Sequence, residues 1–126
     1  MKPLGQSISN FPFKRALITG ASSGIGEEMV HILGRAGIPM VLVARRGERL
    51  QALAQQYQNV EVLVADLLCD EEVAKVAARI ADTSLPEIDL VVNNAGFGTS
   101  GSMHRIDVDR LANEVKLNVI ALTRLT

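Results

Sequence analysis

Four short apolar runs, separated by longer segments of helical period, restrict the fold of this chain more than any other feature. The runs are Ala16-Leu17-Ile18, Met40 to Ala44, Val60 to Ala65 with Glu61 inside it, and Leu90-Val91-Val92. They are rich in β-branched residues and mostly uninterrupted. Strands covered on both faces look like this; strands with one wet face alternate. Between the runs, Ile25, Met29, Ile32, Leu33 and Ala36 recur at helical spacing, and Gly37 and Pro39 end that segment. Leu50, Leu53, Ala54 and Tyr57 predict a second helix with Tyr57 on its apolar stripe. Val73, Val76, Ala77 and Ile80 predict a third. It opens with Asp70-Glu71-Glu72 and carries Arg79 near its end, the charge order a helix dipole favours. A last helix spans about 107–125. The order β-α-β-α-β-α-β-α predicts an α/β fold: a parallel sheet with right-handed crossovers.

A length of 126 residues suits one domain, and 48% hydrophobic residues suffice for its core. Residues 1–13 carry Pro3, Gly5 and Pro12 without periodicity and read as a flexible lead-in. They lack the continuous apolar stretch of a secretory signal. Lys+Arg number 13 and Asp+Glu 14, a net charge of -1, so nucleic acid or an anionic membrane is not an expected partner. No apolar run approaches the ~20 residues of a spanning helix. The single cysteine, Cys69, excludes an internal disulfide framework and fits a reducing, cytoplasmic location. No metal-ligand spacing is present.

The first strand runs into Thr19-Gly20-Ala21-Ser22-Ser23-Gly24-Ile25-Gly26, and the first helix follows at once. A helix start leaves unpaired N–H groups and a partial positive charge, which favour a phosphate. Glycines at Gly20, Gly24 and Gly26 allow a tight turn, close approach of phosphate to backbone, and close helix–strand packing. Ser22 and Ser23 add hydroxyl donors, and Ile25 belongs to the same loop. This is a dinucleotide-binding pattern in its proper strand–loop–helix setting.

The spacing T-G-x-x-x-G-x-G resembles the cofactor motif of the short-chain dehydrogenase/reductase family. Three further stations fit the same resemblance. The second strand ends at Arg45-Arg46, where an NAD-binding domain usually places an acidic residue for the ribose hydroxyls. A guanidinium fork suits a phosphate, and the resemblance implies that Arg45, with Arg46 second, takes the 2′-phosphate of NADP(H) in preference to NAD(H). The alternative is a pair of solvated surface arginines. The third strand ends at Asp66-Leu67, similar to the family's contact to the adenine amino group; such an aspartate also caps turns. The fourth ends in Asn93-Asn94-Ala95-Gly96, which resembles the family's second signature and implies small residues beside the cofactor. All four stations sit at strand C-terminal ends, where open α/β sheets bind ligands. The fold so implied is Rossmann-like, doubly wound and partial, with strand order 3-2-1-4 and helices on both faces, over residues 14–126.

The last helix places Leu111, Val115, Asn118, Leu122 and Leu125 on one stripe. Asn118 interrupts it, either as a hydrogen-bonded core amide or, as the resemblance implies, as the first of a catalytic Asn, Ser, Tyr, Lys set. The other three are absent. The lone tyrosine, Tyr57, has Glu61 four positions on, so no Tyr-x-x-x-Lys exists. His31 lies away from the strand ends, and His104 falls in a loop. The resemblance therefore implies the N-terminal, cofactor-binding part of an NADP-dependent oxidoreductase, inactive alone. The complete enzyme would transfer hydride between NADP(H) and a small carbonyl or alcohol substrate. Two other readings stand beside it: a non-catalytic dinucleotide-binding or sensor module, and a structural half that pairs with another chain. Strand 4 is expected to be an open edge, and a homo-oligomer is expected through that edge or the last helix.

Overall fold

The computed structural model describes residues 12–22, 24–95, 108–115 and Leu125. Its elements are β1 (Ala16–Thr19), α1 (Gly24–Arg35), β2 (Met40–Ala44), α2 (Gly47–Ala54), β3 (Val60–Val64), α3 (Asp70–Ala81), β4 (Leu90–Val92) and α4 (Val108–Val115). The strands form one parallel sheet in the order β3-β2-β1-β4, as the sequence predicts. Every residue of β1 and β2 is buried, while β3 and β4 form the two partly exposed edges. Ala65 leaves β3 but its N–H still donates to Ala44 O at 3.0 Å.

Helices cover both faces. Val30 and Leu33 of α1, with Leu50 and Leu53 of α2, pack against Ala16, Ile18, Met40 and Leu42. Val73 and Val76 of α3 pack against Leu17, Val41 and Val43, joined by Leu125. This division follows from strand alternation: successive side chains of β1 and β2 feed opposite cores. Helix α1 ends as Gly37 and Pro39 predict. Gly37 takes φ +79, its N–H donates to Gly34 O, and the Ile38 N–H donates to Leu33 O, the paired bonds of a Schellman cap.

Two local expectations need correction. The core face of α1 is Gly26, Val30 and Leu33. Ile25 is 73% exposed and Ile32 50%, although both lie on the apolar stripe read from periodicity. Contact at Gly26, described below, sets the rotation of the helix and turns those two isoleucines outward. Tyr57 lies beyond the end of α2, not on its stripe. Its ring covers Gly34 of α1, and its hydroxyl meets His31 Nδ1, so it does pack, but across to another helix. Arg79 stands in the last turn of α3, as the sequence predicts. It is 8% exposed and forms a two-point bond to Glu61, Nε to Oε2 at 2.9 Å and Nη2 to Oε1 at 3.1 Å. That bond explains the acidic residue inside β3.

Val115, on the apolar stripe of α4, is exposed, whereas Leu125 is buried in the α3-side core. Among the described residues no helix is long and apolar enough to cross a membrane.

Candidate functional site

Because all four strands are parallel, the segments leaving β1, β2, β3 and β4 emerge at one edge of the sheet. These segments are Gly20–Gly26, Arg45–Arg46, Ala65–Leu67 and Asn93–Ala95. The chain winds from β1 outward through β2 to β3, then crosses back to β4 on the other side of β1. The gap between the ends of β1 and β4 is therefore the switch point, the ordinary ligand crevice of such sheets.

Thr19, buried at the end of β1, holds that gap together. Its Oγ1 accepts the N–H groups of Asn94 and Ala95, each at 3.0 Å, and its own proton points to Val92 O at 3.4 Å. Asn94 Nδ2 donates to Gly20 O at 3.2 Å. The loop after β4 is thus tied to the loop after β1 by one hydroxyl and one amide. Gly26, in the first turn of α1, presses against the same junction. A Cβ there would overlap both Gly20 O and Asn94 Nδ2, so only glycine lets the helix start sit this close.

Gly24 is the opposite case. It takes φ +59, and among the described residues nothing lies within 4 Å of where a Cβ would stand. Backbone is laid open there at the start of a helix, where N–H groups lack intrahelical partners. Ser22 is buried, at 6% exposure, and its hydroxyl has no hydrogen bond among the described residues. A buried hydroxyl left unpaired costs about 1–3 kcal/mol. An anion at the open backbone of Gly24 would give it an acceptor, and the residues fit a phosphate group on that ground.

Arg45 and Arg46 follow β2 and are both exposed. Among the described residues neither has a carboxylate partner. Asp66 accepts the Leu68 N–H through Oδ1 at 3.0 Å, so it closes a turn, the second reading the sequence allows. Its own N–H donates to Glu72 Oε1 at 3.0 Å, which fixes the loop to α3. Leu67 is buried in the α3-side core, so whatever it offers a ligand comes from its backbone. Asn93, Asn94 and Ala95 are half-buried. Ser23, Gly96, Asn118 and His104 lie outside the described residues.

Two residues that join segments at this edge of the sheet escape the sequence reading. Thr19 is visible there only as a motif letter; its donor-acceptor role needs the β1–β4 pairing. Arg49 is the second. Its Nη2 lies 3.7 Å from Glu27 Oε2 and so joins the start of α2 to that of α1. Tyr57 and His31 meet near the end of α1, at the opposite edge of the sheet from the strand C-termini. Among the described residues no group of three His, Cys, Asp or Glu side chains could hold a metal ion.

Comparison with known proteins gives one answer. The family model for short chain dehydrogenase matches residues 14–126. An uncharacterized oxidoreductase of Staphylococcus aureus is 34% identical over 108 residues, covering 84% of this chain and 46% of that protein. A short-chain dehydrogenase from Sphingobium yanoikuyae, solved in complex with NADPH, superimposes with a TM-score of 0.81 at 39% identity, over 88% of this chain and 45% of that one. A bulky-bulky ketone specific alcohol dehydrogenase from Comamonas testosteroni gives 0.82 at 36% identity, over 89% and 46%. The chain spans about half the length of the relatives it matches.

Proposed function

This chain belongs to the short chain dehydrogenase family, and from that premise we propose that it forms the NADP(H)-binding portion of an oxidoreductase that moves hydride between the cofactor and a carbonyl or alcohol carbon. The cofactor supplies the hydride chemistry when bound; the protein binds and orients it. In this reading the backbone of Gly20, Gly24, Ile25 and Gly26 and the hydroxyls of Ser22 and Ser23 take the diphosphate. Arg45, with Arg46 beside it, takes the 2′-phosphate. Asp66 and the Leu67 backbone meet the adenine, and Asn93, Asn94, Ala95 and Gly96 flank the ribose side. Asn118 is assigned the positioning of a water in proton transfer.

The observation that carries the reading is the pairing of the Gly24 backbone and the buried Ser22 hydroxyl with two exposed arginines on the adjacent strand end, none of these side chains having a partner among the described residues. Neutral hydroxyls and N–H groups serve any diphosphate, but two guanidinium groups favour a cofactor with an extra phosphate. The solved relative in complex with NADPH is consistent with that choice.

These 126 residues contain no Tyr-x-x-x-Lys, so we assign them binding without turnover. Titration of the chain with NADPH and NADH, by cofactor fluorescence or calorimetry, tests the assignment. The expected result is 1:1 binding, tighter for NADPH, with the preference lost in Arg45→Ala. Equal affinity of the unaltered chain for the two cofactors would refute the NADP(H) assignment. Ordinary enzymatic reduction of a ketone by these residues alone would refute the assignment of binding without turnover.

A further inference from the structure

The Glu27–Arg49 pair lies outside the residues assigned above and bridges the two segments they come from. Glu27 is in the first turn of α1, directly after the glycine loop. Arg49 is near the start of α2, three residues past Arg46. Both side chains are partly exposed, so the pair itself contributes little to folding. Its electrostatic setting is less ordinary. An acidic side chain at a helix start is favourable to the dipole, yet it repels any anion that comes to the same N–H groups. The first turns of α1 and α2 carry Glu27 and Glu48, beside Arg45, Arg46 and Arg49. Among the described residues His31 also lies near Glu27, with Nε2 3.9 Å from Oε1, and its Nδ1 meets the Tyr57 hydroxyl.

We propose that Arg49 is a positioning residue for the dinucleotide: it offsets the Glu27 charge at the helix start where the diphosphate is assigned. The inference rests on the dinucleotide reading of the site and names a residue that reading does not include. Arg49 acts through Glu27 and needs no contact with the cofactor.

The test is NADPH titration of the 126-residue chain and of Arg49→Met, Arg49→Lys, Glu27→Gln and the Arg49→Met/Glu27→Gln double variant, at low and high salt, with circular dichroism as the check of folding. With the Glu27 carboxylate uncompensated beside the assigned phosphate site, Arg49→Met binding should weaken by roughly threefold to tenfold at low salt, and less at high salt. Arg49→Lys should bind like the unaltered chain, Glu27→Gln no more weakly, and the double variant should return to the unaltered affinity. A purely structural brace would make Glu27→Gln as weak as Arg49→Met, and that outcome overturns the proposal. So does unchanged binding by Arg49→Met. Should Arg49→Met not fold, Glu27→Gln still decides: equal or tighter binding supports the charge role, weaker binding overturns it. An unaltered chain that binds no NADPH overturns the dinucleotide reading itself, an outcome distinct from the other two.

Discussion

Replacing Gly26 by alanine tests the tightest junction in the molecule. Inside a helix alanine is about 1 kcal/mol better than glycine, so the same change on a solvent-facing turn would stabilise. At position 26 the added methyl meets Gly20 O and Asn94 Nδ2. The amide can swing away; the carbonyl cannot, because it belongs to the backbone of a turn in which Gly20 itself holds φ +64. Either α1 lifts from the end of β1 or the turn deforms. Overpacking of this kind costs about 1–3 kcal/mol, and loss of the Asn94 to Gly20 hydrogen bond adds about 1 kcal/mol. Set against the helix propensity gained, the net is a loss of about 1–3 kcal/mol. At this chain length each kcal/mol lowers Tm by roughly 4 °C. Urea unfolding followed by far-UV circular dichroism, with a thermal melt beside it, reads the change. Gly24→Ala is the control: with open space around the new methyl it loses only the ~1–2 kcal/mol of a left-handed backbone. Adding Asn94→Ala to Gly26→Ala should recover only part of the loss, since the carbonyl stays. A Gly26→Ala chain as stable as the unaltered one would refute the close approach of α1 to this junction.

Other expectations concern the clamps around the sheet. Thr19→Val keeps the shape but removes the acceptor of two N–H groups, and should cost about 1–3 kcal/mol in the same unfolding assay. Glu61→Ala leaves Arg79 buried without its partner; because Glu61 is partly exposed, the loss should be about 1–2 kcal/mol, below that of a fully buried pair, and Arg79→Met should lose less. Asp89 accepts the Arg15 and Lys14 backbone N–H groups, which hold its carboxyl below the usual carboxylate range. A lowered folded pKa gives stability that is present above the unfolded value of about 3.9 and lost as pH falls through the folded one. Melts from neutral to acid pH should therefore fall less steeply in Asp89→Asn than in the unaltered chain, and identical slopes would count against the clamp.

The fold was legible because its signals are local and repeated. Each apolar run meets a helix of opposite period, so element type, parallel pairing and the crowding of four loops at one edge follow from short-range pattern. The glycine loop was legible for the same reason. What periodicity could not show is how each helix is rotated about its axis. Ile25 and Ile32 carry the apolar signal of α1, but contact at Gly26, a residue with no side chain to score, turns them to solvent. The Arg79–Glu61 bond was hidden because its halves are 18 positions apart and each alone looks like a surface charge. Thr19 was hidden because its partners lie 73, 75 and 76 positions away. Pairings of that kind belong to the assembled sheet and leave no mark on neighbouring residues.

The distance between Thr19 and Asn94 also orders events in time. β1 reaches β2, and β2 reaches β3, through single crossover helices. β4 finds β1 only after most of the chain has intervened, with Asp89 and Thr19 securing the two ends of the pairing. A loop roughly three times longer adds about 1 kcal/mol to closure, and it brings its reward only when the last strand docks. The β1–β2–β3 unit should thus be structured in the folding transition state, and β4 should join afterwards. Conservative truncations such as Val91→Ala should then speed unfolding and leave the folding rate nearly unchanged. The crevice between β1 and β4 would be the youngest part of the molecule, completed only when everything else is in place.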